Sequence, residues 1–147
     1  MKEINQNAPV KCNKSVLINA TSVEVWKVLT EIDRWPLWQK EIKSAKLEGP
    51  LKAASKFLWK SGGMNIHSEI HTADPYTFFG WTGKALGLSA IHNWRIVDLQ
   101  SQTEVHMEES MDGMLASLFK KRLNKQLDKN SVKWLVHLQK ECEQLTK

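Results

Sequence analysis

The hydrophobic pattern of this chain changes period twice. From Val10 to Ile18 it reads as a strand, with Val16 and Ile18 on one face. The order Thr21-Ser22-Val23-Glu24-Val25-Trp26 then predicts a helix capped by Ser22, with Val25, Trp26 and Leu29 at helical spacing. Asp33 is placed to cap a second short helix ending near Pro36, because proline is poorly tolerated inside a helix.

From Ile42 to about Met111 the period is two. It predicts strands at Ile42–Leu47, Lys56–Ser61, Met64–Thr72, Thr77–Ala85, Leu88–Leu99 and Thr103–Met111. Gly62-Gly63 fits a mirror-type hairpin turn, and Leu86-Gly87 is a weaker candidate for the same geometry. The other connections are short, which points to an antiparallel meander. From Gly113 to about Leu145 the period becomes helical again. Leu115, Leu118, Phe119, Leu123, Leu127, Trp134, Leu138, Cys142 and Leu145 form an apolar stripe that predicts one long helix. The stripe lapses around Gln126, Asn130 and Ser131. A helix lying across a curved sheet tolerates such a gap where its middle faces a cavity or water.

The element order is strand, two short helices, six strands, long helix. That is an α+β arrangement: a seven-stranded antiparallel sheet with a long C-terminal helix on one face. The short helices sit at one end of the sheet. A length of 147 residues fits a single domain over 1–147, with residues 1–9 expected as a loose N-terminal arm.

The turns set the hairpin registers. A turn at Gly62-Gly63 places Trp59 opposite Ile66 and Phe57 opposite Ser68. A turn at Leu86-Gly87 places Trp81 opposite His92 and Phe79 opposite Trp94. A turn at Gln100-Ser101 places His92 opposite Glu109 and Trp94 opposite Met107. Through Asp74-Pro75, one register sets Ser68 beside Trp81. Opposed residues share a face of the sheet. One face then collects Phe57, Trp59, Ile66, Ser68, Ile70, Phe79, Trp81, His92, Trp94, Ile96, Val105, Met107 and Glu109. The other collects Lys60, Asn65, His67, Glu69, His71, Asn93, Arg95, Glu104, His106 and Glu108. The first set is apolar and the second polar, a separation that turn geometry alone produced. Ser68, His92 and Glu109 interrupt the apolar face. Buried polar groups need partners, and His92 and Glu109 can satisfy one another.

Composition narrows the function classes. An apolar fraction of 41% with seven tryptophans supplies a real core. The net charge of +5 permits an acidic partner without demanding one. Lys120, Lys121, Arg122, Lys125, Lys129 and Lys133 cluster within the helical pattern and read as a solvated helix face; no nucleic-acid partner is expected. No stretch is long and apolar enough to span a bilayer, and the first residues do not resemble a signal peptide. Cys12 and Cys142 form no metal-type pair and are expected as free thiols of a cytoplasmic protein. His67 and His71 would chelate zinc on a helix, but on a strand that spacing separates them by roughly 13 Å. No metal and no cofactor are expected. Oligomeric state is not legible.

Several stretches together carry a resemblance over nearly the whole chain. These are Ile18–Gln39 (INATSVEVWKVLTEIDRWPLWQ), Phe57–Gly63 (FLWKSGG), Gly80–Ile96 (GWTGKALGLSAIHNWRI) and Thr103–Phe119 (TEVHMEESMDGMLASLF). In their order and spacing they resemble the START-related helix-grip superfamily, which includes the birch-pollen allergen and polyketide cyclase/dehydrase-like proteins. The resemblance implies a curved sheet gripping the long helix around an internal cavity. It also implies a small apolar or aromatic molecule as partner. The residues placed to meet such a ligand are Phe57, Trp59, Ile66, Ser68, Phe79, Trp81, His92, Trp94, Met107 and Glu109. Superfamily members include carriers, sensors and enzymes, so fold alone does not choose among them. In an enzyme of the cyclase/dehydrase kind, Glu109 and His92 would be the catalytic acid/base pair. Trp35 and Trp38 would lie near the cavity mouth, as a plug sealing one end of the core or as a ligand-facing rim.

Overall fold

The computed structural model describes residues 1–145. Strand β1 (Val10–Ile18) leads into helix α1 (Ser22–Thr30), a short 3-10 turn (Ile32–Arg34) and helix α2 (Trp35–Trp38). Strands β2 (Ile42–Glu48), β3 (Lys56–Ser61), β4 (Met64–Asp74), β5 (Phe78–Ala85), β6 (Leu88–Asp98) and β7 (Thr103–Asp112) follow. Helices α3 (Met114–Leu118) and α4 (Lys120–Leu145) close the chain. The sheet is antiparallel with seven strands in the order β1-β7-β6-β5-β4-β3-β2. This is the expected helix-grip arrangement.

The hairpin registers follow the turns. Gly62 and Gly63 adopt φ of 58° and 77°, the left-handed pair that a two-residue mirror turn requires. Trp59 then pairs with Ile66, Trp81 with His92, Phe79 with Trp94, and His92 with Glu109. One register differs. Ser68 lies opposite Gly83, and Trp81 lies opposite Ile70: the β4–β5 connection is the three-residue loop 75–77, with Asp74 opposite Phe78, which shifts the pairing by three, and a bulge between Ile70 and Thr72 takes back one. The displacement is two residues, so every side chain keeps its face. A second irregularity lies in β2 between Ile42 and Ser44. Such bulges bend and twist strands, which helps the sheet curve around the helix.

Five local expectations are corrected. The cap of α1 is Thr21, not Ser22: its hydroxyl accepts from the Glu24 amide at 3.2 Å, and the Glu24 carboxylate returns the bond to the Thr21 amide at 2.9 Å. Asp33 caps no helix; it accepts the Leu47 amide at 2.7 Å and ties the 3-10 turn to β2. Pro36 opens α2 rather than ending it, since the first turn of a helix needs no donor there. The long helix is also broken at Phe119 (φ −111°, ψ 35°), so α3 buries Ala116 while Leu118 and Phe119 stay exposed. Residues 1–9 are anchored rather than loose. Ile4 and Ala8 are buried, and Asn93 Nδ2 donates to the Lys2 carbonyl at 2.7 Å.

The interior falls into two clusters. The larger joins α1, α2, the sheet and the second half of α4, and includes Trp35, Phe57, Trp81, Trp94 and Leu138. The smaller centres on Val10, Ala116 and Leu127, with Leu88, Met111 and Leu123 packed against it. Trp35 is fully buried. Its ring lies 5.2–5.6 Å from those of Phe57, Trp59, Trp81 and Trp134. Its Nε1 donates to the Leu29 carbonyl at 2.9 Å. Trp38 is buried against Trp134. Both tryptophans are therefore packing residues of the larger cluster.

Candidate functional site

A cavity of about 130 Å³ lies where the two clusters meet, between the sheet and α4. Its apolar wall includes Trp59, Ile66, Trp81, Met107 and Trp134 from the larger cluster and Leu88, Met111 and Leu127 from the smaller. Its polar lining includes Gln39, His92, Glu109, Asn130 and Ser131. The exposed residues Gly62, Lys84 and Gln126 also border it, so it opens between the tips of the β3–β4 and β5–β6 hairpins and α4. The gap in the helical stripe is thus the roof of the cavity: Gln126, Asn130 and Ser131 replace the large apolar residues that would have filled it. The volume is on the order of an engineered ~150 Å³ cavity that takes up benzene.

Six of the residues singled out from sequence line this cavity: Trp59, Ile66, Trp81, His92, Met107 and Glu109. The other four do not. Phe57, Phe79 and Trp94 pack in the larger cluster. Ser68 accepts a hydrogen bond from Trp59 Nε1 at 3.0 Å and so fixes that indole in place. The β4–β5 loop accounts for part of this, because its three residues, offset by one at the bulge, leave Ser68 two places away from the His92 row.

The actual row across the sheet is Ile70, Trp81, His92, Glu109 and Cys12. His92 Nδ1 lies 3.3 Å from Glu109 Oε1, with side-chain exposures of only 3% and 12%. Trp81 stacks on the imidazole at 4.4 Å with an 8° tilt, which locks the ring plane. His92 Nε2 is buried without a hydrogen-bond partner. Buried polar atoms are rarely left unpaired, because each orphan costs about 1–3 kcal/mol. An imidazole held this way can hydrogen-bond a hydroxyl or carbonyl, and with its carboxylate it can also relay a proton.

Cys12, the outer member of the row, is not a nucleophile in this setting. Burial pushes its thiol pKa up. Ser131 donates its hydroxyl to the Leu127 carbonyl at 2.7 Å, so the thiol donates to Ser131 Oγ at 3.0 Å. Cys12 is a neutral donor that fixes α4 over β1. Cys142 is buried, its thiol pushed up to about 12 by desolvation. Both cysteines are free.

Sequence reasoning left out Gln39 and Trp134. Gln39 is buried at the end of α2; its Oε1 accepts from His137 Nδ1 at 2.8 Å and from the Glu41 amide at 3.2 Å. Nothing local marks it, since only the docking of α2 under α4 buries it. Trp134 belonged to the predicted stripe. Its place over the cavity depends on where the helix crosses the sheet. Among the described residues, no group of three or more His, Cys, Asp or Glu is placed to hold a metal ion, and no helix is long and apolar enough to cross a membrane.

Comparison with known proteins agrees with this architecture. A model of the family described as polyketide cyclase / dehydrase and lipid transport matches residues 9–143. A hypothetical protein of Helicobacter pylori is 17% identical, with 97% of each chain covered and a TM-score of 0.83. The Zhui aromatase/cyclase of a Streptomyces species is 14% identical, covering 93% of this chain and 95% of its own, with a TM-score of 0.82. A START superfamily protein of Mycobacterium smegmatis is 14% identical, covering 92% of this chain and 98% of its own, with a TM-score of 0.75. At these identities the likeness is one of fold. A search of curated protein sequences finds no match.

Proposed function

The chain belongs to the polyketide cyclase / dehydrase and lipid transport family, and from that premise we propose that it binds a small apolar or aromatic molecule in the cavity between sheet and α4. The observation that carries this reading is the unpartnered Nε2 of His92 in the lining of a largely apolar cavity. Small-molecule sites are mostly apolar with a few placed polar groups, and this lining has that composition. A ligand hydroxyl or carbonyl would satisfy the orphan nitrogen while its ring or chain lies against Trp59, Trp81 and Trp134. The limited volume favours a molecule of about one ring over an extended one.

Native mass spectrometry of the purified protein against its denatured mass tests the proposal directly. An added discrete mass that is lost on denaturation identifies an occupant. A titration with a monocyclic phenol, followed by indole fluorescence, covers the case of an empty cavity. Saturable quenching that His92→Phe abolishes supports the reading. No bound mass, together with no fluorescence change across a series of such phenols, removes it.

A second reading is an enzyme of the cyclase/dehydrase kind, supported by the 3.3 Å His92–Glu109 pair and by the fold shared with an aromatase/cyclase. There Glu109 and His92 would exchange a proton with the ligand as acid and base. Glu109→Gln keeps the shape and removes the base. Full turnover in that variant would eliminate the role.

A further inference from the structure

We propose that the end of the molecule formed by the β5–β6 turn and the α3–α4 junction is a docking surface for an anionic phospholipid bilayer. Four large apolar side chains are exposed there: Leu86 (74%), Met114 (82%), Leu118 (70%) and Phe119 (47%). They belong to one surface because the turn and α3 are pressed together. A Cβ at Gly113 would lie 2.2 Å from the Gly87 carbonyl oxygen, and one at Gly87 would lie 3.6 Å from the Leu115 side chain. Only glycine at 113 permits that approach.

Leu86 is the most informative of the four. It occupies a left-handed position of the turn with φ 42°. Asn or Gly suits that backbone, and leucine is disfavoured there. Neither the backbone nor water favours this residue at this place. Strain of that kind at an exposed apolar tip points to a use outside the folded chain.

Charge selects the partner. Lys120, Lys121, Arg122, Lys125 and Lys129 follow Phe119 directly on α4, and none of them takes part in an ion pair among the described residues. The one acidic residue in this run, Asp128, is engaged by Lys14 at 2.6 Å. Exposed apolar groups beside unpaired cations match a bilayer interface, where the apolar groups enter the acyl boundary and the cations meet anionic headgroups. A nucleic acid would use the cations and leave the apolar tip without a role. The mouth of the cavity adjoins this surface through Lys84, Leu88 and Met111, so a docked molecule would present the cavity opening close to the membrane. The docking surface does not depend on what the cavity holds.

Co-sedimentation with sonicated vesicles tests the proposal. The full chain should bind vesicles of phosphatidylcholine with about 30% phosphatidylserine and lose most of that binding in pure phosphatidylcholine or high salt. Reversing two cations in K121E/R122E should weaken binding by at least about 25-fold, at roughly fivefold per basic residue. L118S/F119S keeps every charge and should also lose binding at least tenfold. Both pairs are exposed, and circular dichroism checks that the variants fold. Absence of binding to the anionic vesicles overturns the proposal. So does binding that L118S/F119S leaves unchanged. A duplex oligonucleotide that competes fully with vesicles and binds L118S/F119S as well as the parent would assign the cations to nucleic acid instead, and equally overturns it.

Discussion

Replacing the buried His92–Glu109 pair by apolar residues should separate what the fold needs from what the site needs. The pair is desolvated on both sides, and one imidazole nitrogen has no partner. His92→Phe keeps a ring stacked on Trp81 but leaves the Glu109 carboxylate alone in a nearly buried place. Breaking a buried pair this way costs about 3 kcal/mol, the lower end of the usual range because Glu109 retains 12% exposure. Glu109→Met leaves both imidazole nitrogens unpartnered and costs about 2 kcal/mol. Independent effects would sum to about 5 kcal/mol in the double variant. The double variant, however, removes the orphan carboxylate and both orphan nitrogens together. Well-packed apolar replacements of buried pairs are often neutral or stabilising. The H92F/E109M protein should therefore lie within about 1 kcal/mol of the parent, or above it. Urea unfolding at pH 7.5 measures this, with the midpoint read at constant slope. In a thermal scan, the His92→Phe single variant should melt about 6–12 °C lower, and the double variant should recover. A double variant as unstable as the sum of the singles would refute the reasoning, since the pair would then be holding the fold. Recovery of stability with loss of ligand binding would show that the chain keeps a polar pair its fold does not require.

Three further outcomes follow from the outer face and the thiols. Gly80→Ala puts a methyl 2.3 Å from His71 Cε1 and 2.6 Å from Asn93 Oδ1, disrupting their 2.8 Å hydrogen bond. It should cost about 2–4 kcal/mol in urea unfolding, and adding His71→Ala should return part of that; a double variant worse than the Gly80→Ala single by the full His71→Ala cost would contradict the clash. His71 and His137 have lowered pKa values, caused first by desolvation. The unfolded chain then takes up protons before the folded one, so stability is fully present above the ordinary imidazole value of ~6.5 and is lost as pH falls through it toward the folded values. Urea midpoints should drop from pH 7.5 to 5.5, less steeply in H71Q/H137Q, and an unchanged slope in that variant would be the contrary result. Cys142, with its thiol pushed up to about 12, should react with a thiol reagent at pH 8 only after unfolding, while Cys12 reacts slowly; rapid native labelling of Cys142 would show that the burial is wrong.

What the chain states by itself is its alternation. Strand positions, hairpin registers and the split between an apolar and a polar face all follow from a side-chain period of two and from turns that only certain residues make. These are local rules. They were enough to set His92 opposite Glu109 and to mark the middle of the last helix as unable to fill a core. Other features depend on partners distant in sequence. The three-residue β4–β5 loop and the bulge at Ile70 together set Ser68 off the His92 row, and the bulge shows only in the pairing of β4 with β5. The break at Phe119 arises where α3 is held by the β5–β6 turn while α4 follows the sheet. Gln39 becomes buried only when α2 docks under α4, and Trp35 is enclosed only because four other rings meet it. Side-chain periodicity decides which face a residue takes. Close packing among elements far apart in sequence decides how much empty space that face is left to enclose.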